Sequence, residues 1–200
     1  MKKKKKTGLL IAAGVLVVLA IFLFHGRNQV LLDETDSRVL NSTFWAANPE
    51  QMDQTLKRKR YAYTTDIHKE NIAVLIYRSH QAAMKQYLMD HGEEKTLTVP
   101  RDAKLVISLP VYTDSTFVWM TEDEGGEEVL KLDRQSSISI PYKPKVRVTG
   151  SGYSRRNFYF TPLKAGTRRI RFVYQQDPSI ATPENSKGKS FITLSIRVQP

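Results

Sequence analysis

From Glu94 to the C-terminus, apolar residues return at every second position. Leu105, Ile107 and Leu109 point one way, with Lys104, Val106 and Ser108 opposite. The spacing recurs at Phe117 and Trp119, Val146 and Val148, Phe158 and Phe160, and Ile170, Phe172 and Tyr174. It closes the chain at Ile192, Leu194, Ile196 and Val198. Strand side chains alternate between faces, so each run has one buried and one wetted side. Pro100, Gly125-Gly126, Pro144, Gly150, Gly166 and Pro183 punctuate the runs where the chain must turn. About seven or eight short strands separated by turns predict a mostly β chain with an antiparallel β-sandwich. That domain is expected over residues 92–200.

The other end of the chain obeys a different rule. Lys2 to Lys6 precede an unbroken apolar run from Gly8 to Phe24, free of charge and proline. Such a run spans about 25 Å as a helix, close to a hydrocarbon core of roughly 30 Å. Lysines before it hold that end in the cytoplasm, because Lys is costly to move across a bilayer. Residues 1–25 therefore read as a transmembrane signal anchor, placing the C-terminal domain outside the cytoplasm, in a periplasm or at a cell surface. A cleaved signal peptide shares the layout, with Val18-Leu19-Ala20 as its fair cleavage site, but cutting there would leave Ile21 to Phe24 on the new terminus. The retained anchor fits better.

Residues 26–91 read as a linker and a small helical, membrane-proximal segment. Asn48-Pro49-Glu50 supplies a cap, a first-turn proline and an acid at the positive end of the helix dipole. Met52 and Leu56 share a face and Lys57 to Arg60 follow, so a short helix is expected from about Pro49 to Arg60. The run Ile72-Ala73-Val74-Leu75-Ile76-Tyr77 fits either a helix face or a buried strand. Helix-favouring residues from Gln81 to Met89, with His91-Gly92 as a stop, tilt Asn71–Asp90 toward helix.

Composition narrows the chemistry. The chain has no cysteine, which excludes a disulfide scaffold, a lipoprotein signal, zinc-thiolate sites and a cysteine nucleophile. His25, His68, His80 and His91 precede the β domain without metal spacing. No His-Glu-x-x-His stretch, phosphate-binding glycine loop or nucleophile elbow is present, so neither an enzyme nor a cofactor is expected. The net charge of +11 overstates the exported basicity, since five of the 31 basic residues precede the apolar run. Bases dominate from Arg134 to Gln176, which holds no acid, while Glu122 to Glu128 holds five acids in seven residues. A solvated polarised surface explains this, and a basic face for an anionic partner is the sharper alternative. Nucleic acid is not an expected partner outside the cytoplasm.

Four stretches resemble the chagasin family, immunoglobulin-like inhibitors of papain-type cysteine peptidases. Lys95 to Val99 followed by Leu105 to Pro110 resembles the family's opening strand pair. Phe117-Val118-Trp119 resembles the aromatic-x-Trp after its first loop, and Gly150-Ser151-Gly152 its glycine-rich second loop. Phe158 to Thr167, running into Val173-Tyr174, resembles its Phe-x-Phe strand, Leu-Lys-Ala-Gly turn and Tyr-ending strand. The resemblance implies a chagasin-like sandwich that binds a protein partner through three loops. On this chain the loops are Tyr112, Thr113, Asp114, Ser115 and Thr116; Gly150, Ser151, Gly152 and Tyr153; and Gln176, Asp177 and Pro178. The loops also depart from the family pattern. Tyr112–Thr116 replaces Asn-Pro-Thr-Thr-Gly, and Gln175-Gln176-Asp177-Pro178 replaces an Arg-Pro-Trp anchor after Tyr174. Two functions remain open: inhibition of a papain-like peptidase, or a non-inhibitory accessory or structural role in a cell-envelope complex, through the sandwich loops or the basic face.

Overall fold

The computed structural model describes residues 30–31, 40–45, 51–59, 61–63, 66, 68–79, 81–112, 116–123, 128–140, 153–179 and 190–200. Among them are twelve strands and one helix. Strands β1 (Val30–Leu31) and β2 (Leu40–Trp45) precede helix α1 (Met52–Lys57). Then come β3 (Ala62–Tyr63), β4 (Lys69–Arg78), β5 (Gln81–Asp90) and β6 (Glu94–Pro100). Next are β7 (Lys104–Tyr112), β8 (Phe117–Asp123) and β9 (Leu130–Ser139). The last are β10 (Tyr153–Pro162), β11 (Gly166–Gln176) and β12 (Ser190–Gln199). A six-stranded sheet has the order β2-β5-β4-β7-β10-β9, and a four-stranded sheet the order β6-β12-β11-β8.

The mostly β, sandwich-like architecture agrees with the alternation. Leu105, Ile107 and Leu109 meet Trp119, Phe158, Phe160, Ile170 and Phe172 in one buried core, which Leu194 and Ile196 complete from β12. Interdigitated inner faces of two sheets produce this kind of core. Besides the two-residue parallel pair of β1 and β3, one pairing within the sandwich breaks the antiparallel expectation: β12 runs parallel to β6, from Thr193 beside Glu94 to Gln199 beside Pro100. The two strands lie far apart in sequence, so no hairpin imposes an antiparallel sense. At the β10–β11 turn, Gly166 has φ of 147° and a Cβ there would stand 3.0 Å from Val129, so glycine suits both the conformation and the space.

The helix expected over Asn71–Asp90 is absent. Those residues form the hairpin of β4 and β5, paired from Lys69 with Asp90 to Arg78 with Gln81. Strand β4 is buried on both faces: Ile72 and Val74 enter the sandwich core, while Ala73, Leu75 and Tyr77 enter a second cluster behind it. Two covered faces erase alternation from a sequence, leaving a continuous apolar run. Ser79 takes φ of 47° in the turn, a left-handed conformation uncommon in a residue other than glycine. Strand β4 pairs with β7, from Ala73 beside Ser108 to Tyr77 beside Lys104, so strands on either side of residue 91 share one sheet.

A third layer covers the outer face of the six-stranded sheet. Met52 and Leu56 of α1, with Tyr61, are buried against Leu75, Met84, Val106, Ile138, Ile140 and Tyr159. The helix is shorter than expected and spans six residues, with no side-chain capping hydrogen bond. Arg58 and Lys59 lie beyond it and donate their backbone N–H groups to Thr55 and Leu56. Among the described residues no helix is long and apolar enough to cross a membrane. The run Gly8 to Phe24 lies outside them, as does most of the expected linker.

Candidate functional site

Strand direction brings the three expected loops to one end of the sandwich. Strand β7 ends at Tyr112, where it faces the first residue of β10, Tyr153. Strand β8 begins at Phe117, where it faces the last residue of β11, Gln176. The strand ends that flank the first loop, Tyr112 on the six-stranded sheet and Phe117 on the four-stranded sheet, therefore lie beside Tyr153 and Gln176. Asp177 donates its backbone N–H to the Thr116 carbonyl at 2.9 Å, so the first and third loops are hydrogen-bonded. Ser154 Oγ donates to the Val111 carbonyl at 3.3 Å, tying the second loop's exit strand to the first loop's entry strand.

Behind the loops stands a pin between the sheets. Trp119 is fully buried, and its Nε1 donates to the Pro110 carbonyl at 2.7 Å across the sandwich. Its ring lies 5.0 Å from that of Tyr174, which lies 5.7 Å from Phe117. The aromatic residues at the bases of the first and third loops thus form one cluster, with geometry that aromatic pairs favour.

Of the expected site residues, Thr116 is exposed, Gln176 and Asp177 are half-buried and Pro178 is exposed. Tyr112 and Tyr153 are placed as facing strand ends. Thr113, Asp114, Ser115, Gly150, Ser151 and Gly152 lie outside the described residues. Asp177 Oδ1 accepts the Ser179 backbone N–H at 2.9 Å and the Ser179 hydroxyl at 2.8 Å. This Asx turn reverses the chain around Pro178, and the two donors hold the Asp177 carboxyl below the usual carboxylate range. The third loop thus begins with a built turn, although the Arg and Trp of the family pattern are missing.

The third layer is tied to β9 and β10 through one carboxylate. Asp53 of α1 accepts from Arg134 Nη1 at 3.0 Å, Ser136 Oγ at 2.8 Å and Asn157 Nδ2 at 3.1 Å, and also from the Tyr159 hydroxyl. Burial alone would raise this carboxyl, but the four donors outweigh it and hold it low. These donors sit on β9 and β10, the strands that enter and leave the second loop. Two residues into β10, Arg155 is fully buried. Its guanidinium donates to the Asn71 and Ser108 carbonyls at 2.9 and 2.7 Å, and to the Ser108 hydroxyl at 2.9 Å, under the Tyr61 ring. A buried charge needs such saturation to be tolerated.

At the same end, the β5–β6 turn places His91 Nε2 3.3 Å from Glu70, whose carboxylate is almost fully buried. Burial pushes the Glu70 carboxyl up, and its contact with His91 pushes the imidazole up. Among the described residues no group of His, Asp and Glu is arranged to hold a metal ion.

No family model and no curated protein matches the chain. The fold is similar to that of a cysteine protease inhibitor from Entamoeba histolytica, at 18% identity and a TM-score of 0.40, over 54% of this chain and 87% of that one. It is also similar to the N-terminal domain of PorA, at 11% identity and a TM-score of 0.26, over 63% of this chain and 97% of that one.

Asp53 and Arg155 carried no signal in the sequence reading. Asp53 meets partners 81 to 106 positions away, and no local pattern marks such a carboxylate. Arg155 sits in Ser154-Arg155-Arg156, which reads as exposed until β10 is seen with one face covered by Tyr61.

Proposed function

We propose that the chain is a membrane-anchored, extracytoplasmic binding protein that inserts its loop end into the active-site cleft of a papain-like cysteine peptidase. The observation that carries this reading is that the strand ends flanking the three loops gather at one end, through the Tyr112–Tyr153 pairing and the Asp177–Thr116 hydrogen bond. Those loops occupy the chain positions at which the chagasin resemblance expects inhibitory contacts. A wedge held by two sheets and pinned by Trp119 occupies a cleft without chemistry, and its rigidity lowers the entropy lost on binding.

The test is a titration of the full chain, held in detergent micelles, against papain and related peptidases. Competitive inhibition at micromolar concentration or tighter is expected. No inhibition in that range would remove the peptidase from the reading. A fragment beginning at residue 91 is unsuitable, because it removes β4 and β5 from the six-stranded sheet. The alternative, an accessory subunit of an envelope complex, is favoured by the absence of an Arg-Pro-Trp anchor after Tyr174. Interfaces that lose such anchors typically lose about 2 kcal/mol or more. Site-specific crosslinking from Thr116 to an envelope protein, with no inhibition of any peptidase, would establish that alternative.

A further inference from the structure

Strand β8 is the terminal strand of the four-stranded sheet and pairs with β11 on one side. Among the described residues, no strand pairs with the other edge along Val118–Asp123. Its register with β11 is unbroken over all seven residues, and it contains no proline, glycine or bulge. Folded proteins ordinarily blunt such an edge. The neighbouring edge strand β9 follows that rule: a bulge leaves Asp133 unpaired between Leu132 and Arg134, and Lys131, Arg134 and Gln135 are exposed. Strand β8 has no bulge or proline, and its charges, Glu122 and Asp123, are confined to its last two residues.

A groove of about 420 Å³ opens between the β8 and β9 edges. Leu130, Leu132, Phe160 and Ile170 form its apolar floor, while Glu122 and Glu128 line it opposite one guanidinium, Arg168. Among the described residues the sandwich is therefore open along this part of the seam, with an unpaired strand edge above an apolar floor lined by two acids and one base.

We propose that the β8 edge accepts an extended segment of a partner protein as a fifth strand, one in which apolar residues alternate with Lys or Arg. Main-chain hydrogen bonds to β8 supply the affinity that strand addition depends on, and alternate side chains supply the choice of sequence. Every second side chain of the added strand faces the seam and covers the floor. The basic residues between them meet Glu122 and Glu128. The proposal does not depend on what that partner is.

The test uses the full chain in detergent micelles and a fluorescent peptide of alternating Val and Lys, about seven residues long, as an ordinary strand is. Saturable binding by anisotropy is expected. Methylating alternate backbone nitrogens of the peptide should weaken binding about tenfold or more, because it removes the ladder and leaves the side chains in place. The variant carrying Glu122→Lys and Glu128→Lys should also weaken it about tenfold. No saturable binding, equal binding of the methylated peptide, or equal binding of a Val and Glu peptide would each overturn the proposal. So would dimers that crosslink β8 to β8, because a second copy would then be the occupant.

Discussion

Replacing Trp119 by alanine tests whether the pin behind the loops holds the two sheets together. The side chain is fully buried, so deletion leaves a large cavity, a change that typically costs about 3–5 kcal/mol. The Pro110 carbonyl also loses its indole donor, and an unsatisfied buried acceptor costs about 1–3 kcal/mol, partly within the first figure. For a domain of this size each kcal/mol moves Tm by about 2–4 °C, so Trp119→Ala should lower it by about 6–20 °C. Trp119→Phe keeps most of the packing and removes the hydrogen bond, so a smaller drop, about 2–12 °C, is expected. Scanning calorimetry of the three proteins in the same detergent measures both effects. A Tm for Trp119→Ala within about 2 °C of the parent would refute the reasoning.

Asp53→Ala should destabilise the chain by about 2–3 kcal/mol in urea unfolding at neutral pH, since four donors lose one acceptor. An unchanged midpoint would show that α1 is held by Met52 and Leu56 alone. The Asp53 carboxyl is lowered in the folded chain, so its contribution is present above its ordinary 3.8 and fades as pH falls below it; the variant should lack that acid-side loss. Glu70 and His91 act in the opposite direction. Both are raised in the folded state, so their contribution is full below the ordinary 4.5 of Glu70 and is lost as pH rises through the raised values. The groups facing His91 are Glu70, Asp66 and Asp90, and Arg155 acts on Glu70. Tm should therefore fall between mildly acidic and mildly alkaline buffer, and Glu70→Gln should flatten that slope; an identical slope would assign it to other groups.

The sandwich core was legible because β7, β10, β11 and β12 each send alternate residues into it, as Leu105, Phe158, Phe172 and Leu194 show. Trp119 was legible as a core aromatic for the same reason. Strand β4 was not, because covering both of its faces leaves Ile72 to Tyr77 without a period. Strand β5 was obscured by helix-favouring residues; Ala82 and Met84 are nonetheless buried on one side, with Ala83 and Lys85 exposed between them. Tertiary burial here overrides helix propensity. The α1 helix was readable from the Met52–Leu56 spacing, but its extent was not, because Arg58 and Lys59 continue in a turn.

The positions of the three loops could be inferred from turn residues and the family resemblance. Their meeting could not, since it depends on the registers that set Tyr112 beside Tyr153 and Gln176 beside Phe117. The parallel β6–β12 pair was equally hidden, because nothing local relates Leu97 to Ile196.

Hydrogen exchange of the full chain, with and without an inactivated papain-like peptidase, tests the central claim most directly. The account predicts simultaneous protection at the ends of β7 and β11 and the starts of β8 and β10, with the turns at Ser79 and Lys164 unchanged. Protection confined to the turns at the opposite end, or to one loop without the others, would contradict it.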